Sequence, residues 1–422
     1  MVTAARLIGI LFLGALPGMS ALAADIPVEP GADSLARAVA QAAPGDRLLL
    51  GAGDYPGRVS LTRRIEIVGS GRSRIVGPGA GSVITIDAPG VVVAGLRISG
   101  SGSDHETIDS GVKLTKKATG AVVRENLFEG NLYGIDIHGA RNARVEGNRI
   151  IGRQDRLVNR RGNGIYVWNA PGTAVIGNHV TFGRDGIFVN SSRRNIFRGN
   201  RFEKLRFAIH YMYANDSEVS GNVSVGNHLG YAIMFSSRVR ITGNLSVGDR
   251  DHGIMLNYAN SSLLEDNVVR DGGEKCLFMY NANKNAMRRN RFEGCLVGIH
   301  FTAGSERNEI AGNAFVRNRT QVKYVGTRNH DWSGNYWSNH GAYDVNGDGI
   351  ADQPFRPNDR MDLVLWTQPS ARMLLGSPAV QLIRWAQKEF PALLPGGVID
   401  SAPLMQSAAG AAGSVTGEGT SQ

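Results

Sequence analysis

The sequence predicts an all-β protein: a right-handed parallel β-helix, a solenoid of about 12 coils with a 22–23-residue repeat and a short C-terminal helical extension. Three observations carry this. Asn closes a recurring short phrase ten times, at positions 126, 148, 178, 200, 222, 244, 267, 290, 313 and 335. Eight of the nine intervals are 22 or 23 residues, and the ninth, from 148 to 178, is one period plus eight inserted residues. Between the Asn positions a second phrase recurs, Gly or Ala, then Ile or Leu, a variable residue and another apolar one, as in Gly186-Ile187-Phe188-Val189. No stretch from 60 to 340 has the length and periodicity of a helix.

Each repeat then follows from its parts. Apolar residues at i and i+2 mark strands, so a unit holds two or three short strands joined by Gly/Asn turns. A propeller blade needs about 40 residues and a leucine-rich repeat needs its Leu pattern, so neither fits. Asn tolerates left-handed turn geometry and bonds nearby backbone. Stacked coils would set each Asn above the last, forming a buried amide ladder along the axis. The recurring Asn is therefore read as structural. Adding turns at Ile65-Glu66-Ile67 and Val91-Val92-Val93 to the ten marked coils gives the count of about 12. At ~4.8 Å per strand the rod would be roughly 55–60 Å long.

Residues 1–24 read as a signal peptide: Arg6, an apolar run from Leu7 to Leu16, and Ala21-Leu22-Ala23 before a cleavage site near Ala23/Ala24. The run is too short to span a bilayer, so the expected location is the periplasm. Residues 25–340 form the solenoid. The net charge is +9, with basic clusters in the inserted loop (Arg153, Arg156, Arg160, Arg161) and at Arg288-Arg289. These are either a solvated rim or a surface for an acidic partner or polyanionic substrate. No nucleic-acid-binding motif is present, so no nucleic-acid partner is expected. Cys276 and Cys295 lie 19 apart. They are a candidate disulfide in an oxidising compartment, or two buried thiols.

Residues 341–360 form an Asp/Gly-rich loop. Asp344, Asn346, Asp348, Ile350 and Asp352 match much of a calcium loop, but Phe355 stands where its last carboxylate belongs. The expectations are a partial calcium site or a plain Asp/Gly turn. Residues 361–406 are a C-terminal extension with a helix from Pro378 to Phe390, N-capped by Ser377. It would cap the open end of the solenoid or dock a partner. Residues 407–422 are an Ala/Gly/Ser/Thr-rich tail expected to be disordered.

Function is sought where the copies differ. In each Gly-Ile strand, the residues between and after the two inward apolar positions should face outward. They read Asp136/His138, Tyr166/Trp168, Phe188/Asn190, His210/Met212, Met234/Ser236, Met255/Asn257, Phe278/Tyr280 and His300/Thr302. Such a stripe of His, Met and aromatics suits a partner surface, a carbohydrate groove or a Cu(I) contact. The candidate copper- or partner-binding residues are His210, Met212, Met234, Met255, Phe278, Tyr280 and His300. No catalytic residue is assigned.

Two resemblances bear on this. Tyr133-Gly-Ile-Asp136-Ile-His138 is similar to the Tyr-Gly-x-Asp-Pro-His-Asp motif of periplasmic mannuronan C5-epimerases, with Ile137 for the Pro and Gly139 for the second Asp. A uronate epimerase or lyase is thus the alternative reading. Longer strings resemble the NosD family, among them Arg161-Gly-Asn-Gly-Ile-Tyr-Val-Trp168, Ile209-His-Tyr-Met212, Lys275-Cys-Leu-Phe-Met-Tyr280, Gly334-Asn-Tyr-Trp-Ser338 and Asp400-Ser-Ala-Pro-Leu-Met405. That resemblance covers nearly all of residues 25–406. It implies a non-enzymatic periplasmic β-helix that helps mature the copper sites of nitrous-oxide reductase and handles copper transiently. The implied partners are an ABC-type transporter permease with its ATPase, a copper-chaperone lipoprotein and the reductase. The chain has no phosphate-binding Gly-Lys-Ser/Thr loop, so the ATPase would be a separate subunit. Membrane association would run only through the permease, by way of the terminal helix.

Overall fold

Short apolar strands separated by tight turns have one way to bury their inward faces: each coil stacks on the next. The computed structural model describes residues 23–302, 304–326, 330–390 and 397–407. Most of the expected signal segment, and the tail from 408, lie outside them. Three all-parallel sheets of 14, 12 and 13 strands run along the rod, which makes about thirteen turns. One more turn than the markers suggested comes from an N-terminal coil begun by Asp25–Val28 and Arg47–Leu50. The core is a continuous stack of inward residues such as Ile135, Ile187, Ile209 and Ile254, all fully buried. Each such side chain contributes about 1.5–3 kcal/mol relative to exposure.

The Asn residues form the ladder. The side-chain amide of Asn126 donates to Asn148 Oδ1 at 3.0 Å, Asn148 to Asn178 at 2.9 Å, and so on to Asn313 and Asn335 at 3.1 Å. Each rung also accepts from the backbone N–H of the Asn before it, as Asn200 Oδ1 does from Asn178 at 2.9 Å. A second bond goes from the same amide to a backbone carbonyl, as from Asn200 Nδ2 to Val175 at 2.9 Å. A buried amide left unpaired costs about 1–3 kcal/mol, so the stack is satisfied along its length.

Both ends are closed. The sequence reading assigned no helix to the N-terminal end. There, helix α1 (Ser34–Gln41) packs a fully buried Leu35 on the first coil. At the other end the ladder finishes on a carboxylate: Asp400 Oδ2 accepts from Asn335 N at 2.9 Å, Asn335 Nδ2 at 3.2 Å and Trp337 Nε1 at 2.9 Å. Phe355 packs on Trp337 with ring centroids 5.2 Å apart.

The C-terminal extension holds α2 (Arg360–Thr367), capped reciprocally by Asp359 and Asp362, and α3 (Pro378–Glu389). The Ser377 side chain accepts from Val380 N, as its N-cap role requires. Helix α3 buries Val380 and ties Arg384 to Asp359 at 3.0 Å, but leaves Leu382, Ile383, Trp385 and neighbouring Phe390 exposed. The coil end is covered by Asp400 and Phe355, so the apolar face of α3 is left free of that task.

The Asp/Gly loop does not gather a metal-binding group. Asp344 accepts from the backbone N–H of Gly347 and Gly349, Asp348 from Ile350, and Asp352 from Val345. Asn346 donates to Asp348, while Ile350 pairs with Leu404 in an antiparallel bridge. Its carboxylates thus bond the loop's own backbone, as a plain turn does. Among the described residues no group of three or more His, Cys, Asp or Glu could hold a metal ion, so the calcium expectation has no support.

Cys276 and Cys295 are joined in a disulfide with Cα atoms 5.7 Å apart, linking a strand to the turn before the next coil. Of the two basic clusters, the pair Arg288-Arg289 is neutralised by carboxylates. Arg288 pairs with Glu309, and Arg289 with Asp266 and Glu265. Arg153 donates to carbonyls of Gly130, Ser101 and Gly102, pinning the inserted loop.

Candidate functional site

The outer face of the 12-stranded sheet displays its side chains in columns, because parallel register places equivalent residues one above another. One column runs Lys113, Asp136, Tyr166, Phe188, His210, Ala232, Met255, Phe278, His300, Lys323. The next runs His138, Trp168, Asn190, Met212, Met234, Asn257, Tyr280.

This register corrects the sequence reading at one coil. Met234 was expected beside His210 and Met255. Instead Leu229–Met234 pairs so that Tyr231 takes the inward place of Ile209 and Met234 stands over Met212. Ala232 imitates the small residue that opens other copies. Tyr231 can sit inside because its hydroxyl donates to the carbonyl of Asn222 at 2.8 Å or Leu245 at 2.9 Å. As a result Phe235 turns outward, and Ser236, expected outside, is buried and accepts from Ala214 N at 3.0 Å.

His210 is the second correction. It is only 9% exposed, wedged between Phe188 (4.7 Å, stacked) and Phe207 (5.0 Å, edge-on). Its Nδ1 lies 3.2 Å from Asp185 Oδ2. Arg206 grips the same carboxylate, Nε at 2.8 Å and Nη2 at 2.6 Å. Burial alone would push the Asp185 carboxyl up, but the bonds from His210 and Arg206 outweigh it and hold it below its ordinary value. His210 Nδ1 is thus committed to a buried charge cluster rather than offered to solvent.

The soft donors divide between the columns. Met212 and Met234 are direct neighbours across one strand pair, both half-buried. Met255 sits beside Phe278, and His300 lies one strand beyond it, so Met255 and His300 are about 10 Å apart. Phe278 is flanked by His252 at 4.9 Å and His300 at 5.4 Å. Neither ring nitrogen of His300 has a protein partner. Burial, then the positive charges of Lys323 and Lys275, pushes its imidazole down to about 4, so it is neutral at pH 7. Tyr280 is exposed and meets Tyr258 edge-on at 5.7 Å. For Cu(I), this face offers two adjacent thioethers, while the ring nitrogens of His300 are covered. That fits an open, incomplete donor set rather than a closed resident site.

Asp136, expected to face outward, is fully buried. Neither of its oxygens has a hydrogen-bond partner, and Lys113 Nζ lies 3.6 Å away. Burial, only partly offset by Lys113, pushes its carboxyl up to about 7.

The sequence reading missed a third column. Tyr213, Phe235 and Tyr258 follow the strands directly and stack at 5.1 and 5.2 Å. Their spacings of 22 and 23 residues repeat the period of the ladder, a signal that would have found them.

The fold and its outer columns define a long parallel β-helix with a decorated outer face. Solved structures share that architecture. An alginate lyase bound to a trisaccharide superposes with a TM-score of 0.60 at 12% identity, covering 79% of this chain and 91% of that one. A family 28 exopolygalacturonase of Yersinia enterocolitica does so at 0.54 and 12%, covering 74% and 78%. At such identity the likeness is one of fold alone. Sequence relatives are more specific. The "Probable ABC transporter binding protein NosD" of Stutzerimonas stutzeri is 37% identical over 415 residues, 94% of this chain and 92% of that protein. The protein of the same description from Pseudomonas aeruginosa is 36% identical over 382 residues, 86% and 89%. The profile described as "Periplasmic copper-binding protein (NosD)" matches residues 152–342. The chain belongs to the NosD family.

Proposed function

We propose that the chain is a non-enzymatic periplasmic accessory protein for copper-site assembly in nitrous-oxide reductase. In this reading it receives copper from a chaperone lipoprotein and works beside an ABC-type permease and its ATPase. The observation that carries it, beside family membership, is the thioether pair Met212/Met234 on an outward column. Two sulfurs bind Cu(I) and leave coordination positions for a donor or acceptor protein. Copper is cargo here, held in passing. Met255 extends the same face toward a partner, and neutral His300, its two nitrogens unpaired but covered, lies beneath it as a donor that a side-chain movement would expose. The exposed apolar face of α3 is the surface for the permease. Replacing Met212 and Met234 together by Leu tests the reading: Cu(I) affinity and reductase maturation should both fall. If both are unchanged, the reading fails.

A second reading has one observation in its favour. Asp136, with a carboxyl raised to about 7 beside Lys113, has the acid/base character a uronate epimerase or lyase needs. Incubating the protein with polymannuronate and polyguluronate, and assaying for new unsaturated ends or C5 inversion, tests it. The accessory reading expects neither product.

A further inference from the structure

The outward aromatic ladder breaks off in the middle of the rod. Tyr213, Phe235 and Tyr258 hold φ of 53°, 48° and 49°, a backbone region that bulky residues seldom adopt and that costs free energy. Tyr213 and Tyr258 nevertheless stay largely in solvent, at 52% and 43% exposed, so burial in the core does not offset the strain. The rings face one another along the rod, with interplanar angles of 22° and 11°. Tyr280 closes the far end edge-on. The outer face of Tyr213 is left bare.

The positions that would continue the ladder hold Ser191 and Asn169, with the same turn backbone at φ 53° and 46°. Their small side chains leave a cleft of about 690 Å³. Tyr213 walls one side and Trp168 the other, Trp168 itself stacked on His138 at 4.2 Å. Lys116, Arg141 and Arg193 rim it, all exposed, and no carboxylate lines it. The nearby Asp216 is held by Arg238 and also attracts Arg193.

We propose that this notch is a docking site for an acidic segment of a partner protein, which inserts one aromatic side chain as the missing rung against Tyr213. A ring fits because the stack repeats at the coil spacing and the next level is vacant. Offset aromatic stacking favours ring on ring. Three cations beside one carboxylate that Arg238 already holds leave a net positive rim, which selects acidic flanking residues and would speed encounter at low salt. The proposal rests on the accessory reading only in that its occupant is a protein. It names neither copper nor a donor atom.

The test uses the mature full-length chain without copper, transporter or reductase. The probe is a short synthetic peptide with one central tryptophan flanked on both sides by Asp and Glu, followed by fluorescence anisotropy at low salt. The wild-type chain should bind it, and replacing the peptide's tryptophan by Ala should weaken binding at least ~10-fold. Ser191→Tyr, which supplies the rung from within, should do the same. Its melting temperature should stay near wild type, because Tyr213 already holds a Tyr on that backbone. Should Ser191→Tyr fail to fold, the surface pair Arg141→Glu with Arg193→Glu carries the test, with the same loss expected. The proposal is overturned if the wild-type chain does not bind. It is also overturned if binding ignores the tryptophan or the variants, or if an anionic oligosaccharide binds the notch in place of the peptide. Any of these results leaves the Met212/Met234 experiment, and the accessory reading it tests, untouched.

Discussion

The side-chain amide of Asn335 donates to Asp400 at 3.2 Å, and the backbone N–H of Asn335 reaches the same oxygen at 2.9 Å. A ladder built from ten Asn rungs thus ends on an Asp from 65 residues further along. The change of residue has a reason. Each Asn must donate upward and accept from below, whereas the last rung needs only to accept, and an ionised carboxylate only accepts.

Asp400→Ala should unseat the C-terminal end. It would leave Asn335 N, Asn335 Nδ2 and Trp337 Nε1 without an acceptor, at about 1–3 kcal/mol for each group that stays buried and unpaired. Hydrogen–deuterium exchange should show lost protection over residues 331–337 and little change in the central coils. Uniform loss along the rod would contradict a local capping role.

The paired thioethers should set Cu(I) affinity. Met212→Leu with Met234→Leu keeps volume and removes both sulfurs, so stability should change by less than about 1.5 kcal/mol. Competition with a Cu(I) chelator should show weaker binding. His210→Ala should behave differently, costing stability by about 3 kcal/mol or less by stripping a partner from buried Asp185, with a smaller effect on copper.

Asp136 makes a pH prediction. Its folded carboxyl is raised from 3.8 to about 7, so the native state binds a proton more tightly than the unfolded chain. Its contribution is fully favourable below pH 3.8 and is lost as pH rises through about 7. Asp136→Asn should therefore stabilise the fold relative to wild type more at pH 8 than at pH 5, by on the order of a few kcal/mol at most, read by denaturant unfolding at the two pH values. A difference that does not depend on pH would show that the carboxylate is already paired.

The exposed face of α3 should matter to a membrane partner and not to the rod. Deleting residues 377–391 should abolish co-purification with the permease while leaving the β-sheet circular dichroism intact. Undiminished co-purification would rule out this helix as the dock.

The periodic parts of this molecule were legible because a solenoid repeats its local chemistry. Asn200 meets the same demand as Asn222, a turn that also bonds the coil above, so spacing alone revealed both the ladder and the strands. The helix from Pro378 was readable from its Ser377 cap. The outer face was only half legible. Met212, Phe278 and Tyr280 stand where alternation put them, but Asp136 and His210 are buried, and Phe235 and Ser236 exchanged sides.

What the sequence determined by itself was the architecture: the coil, its period, its inward residues and the turns that carry Asn. Those depend on interactions within one repeat or between identical neighbours, and a regular pattern encodes them completely. The tertiary structure alone decided which outward side chains are available. Register slid by two residues at Tyr231 because its hydroxyl found backbone acceptors inside the rod. Asp185 on the preceding coil and Arg206 on its own coil hold His210 covered on the outer face. Asp400 closed a ladder that begins 274 residues before it at Asn126. Each outcome turns on a contact between residues that no repeat relates, and the energy of such a contact is fixed only once the coils have stacked.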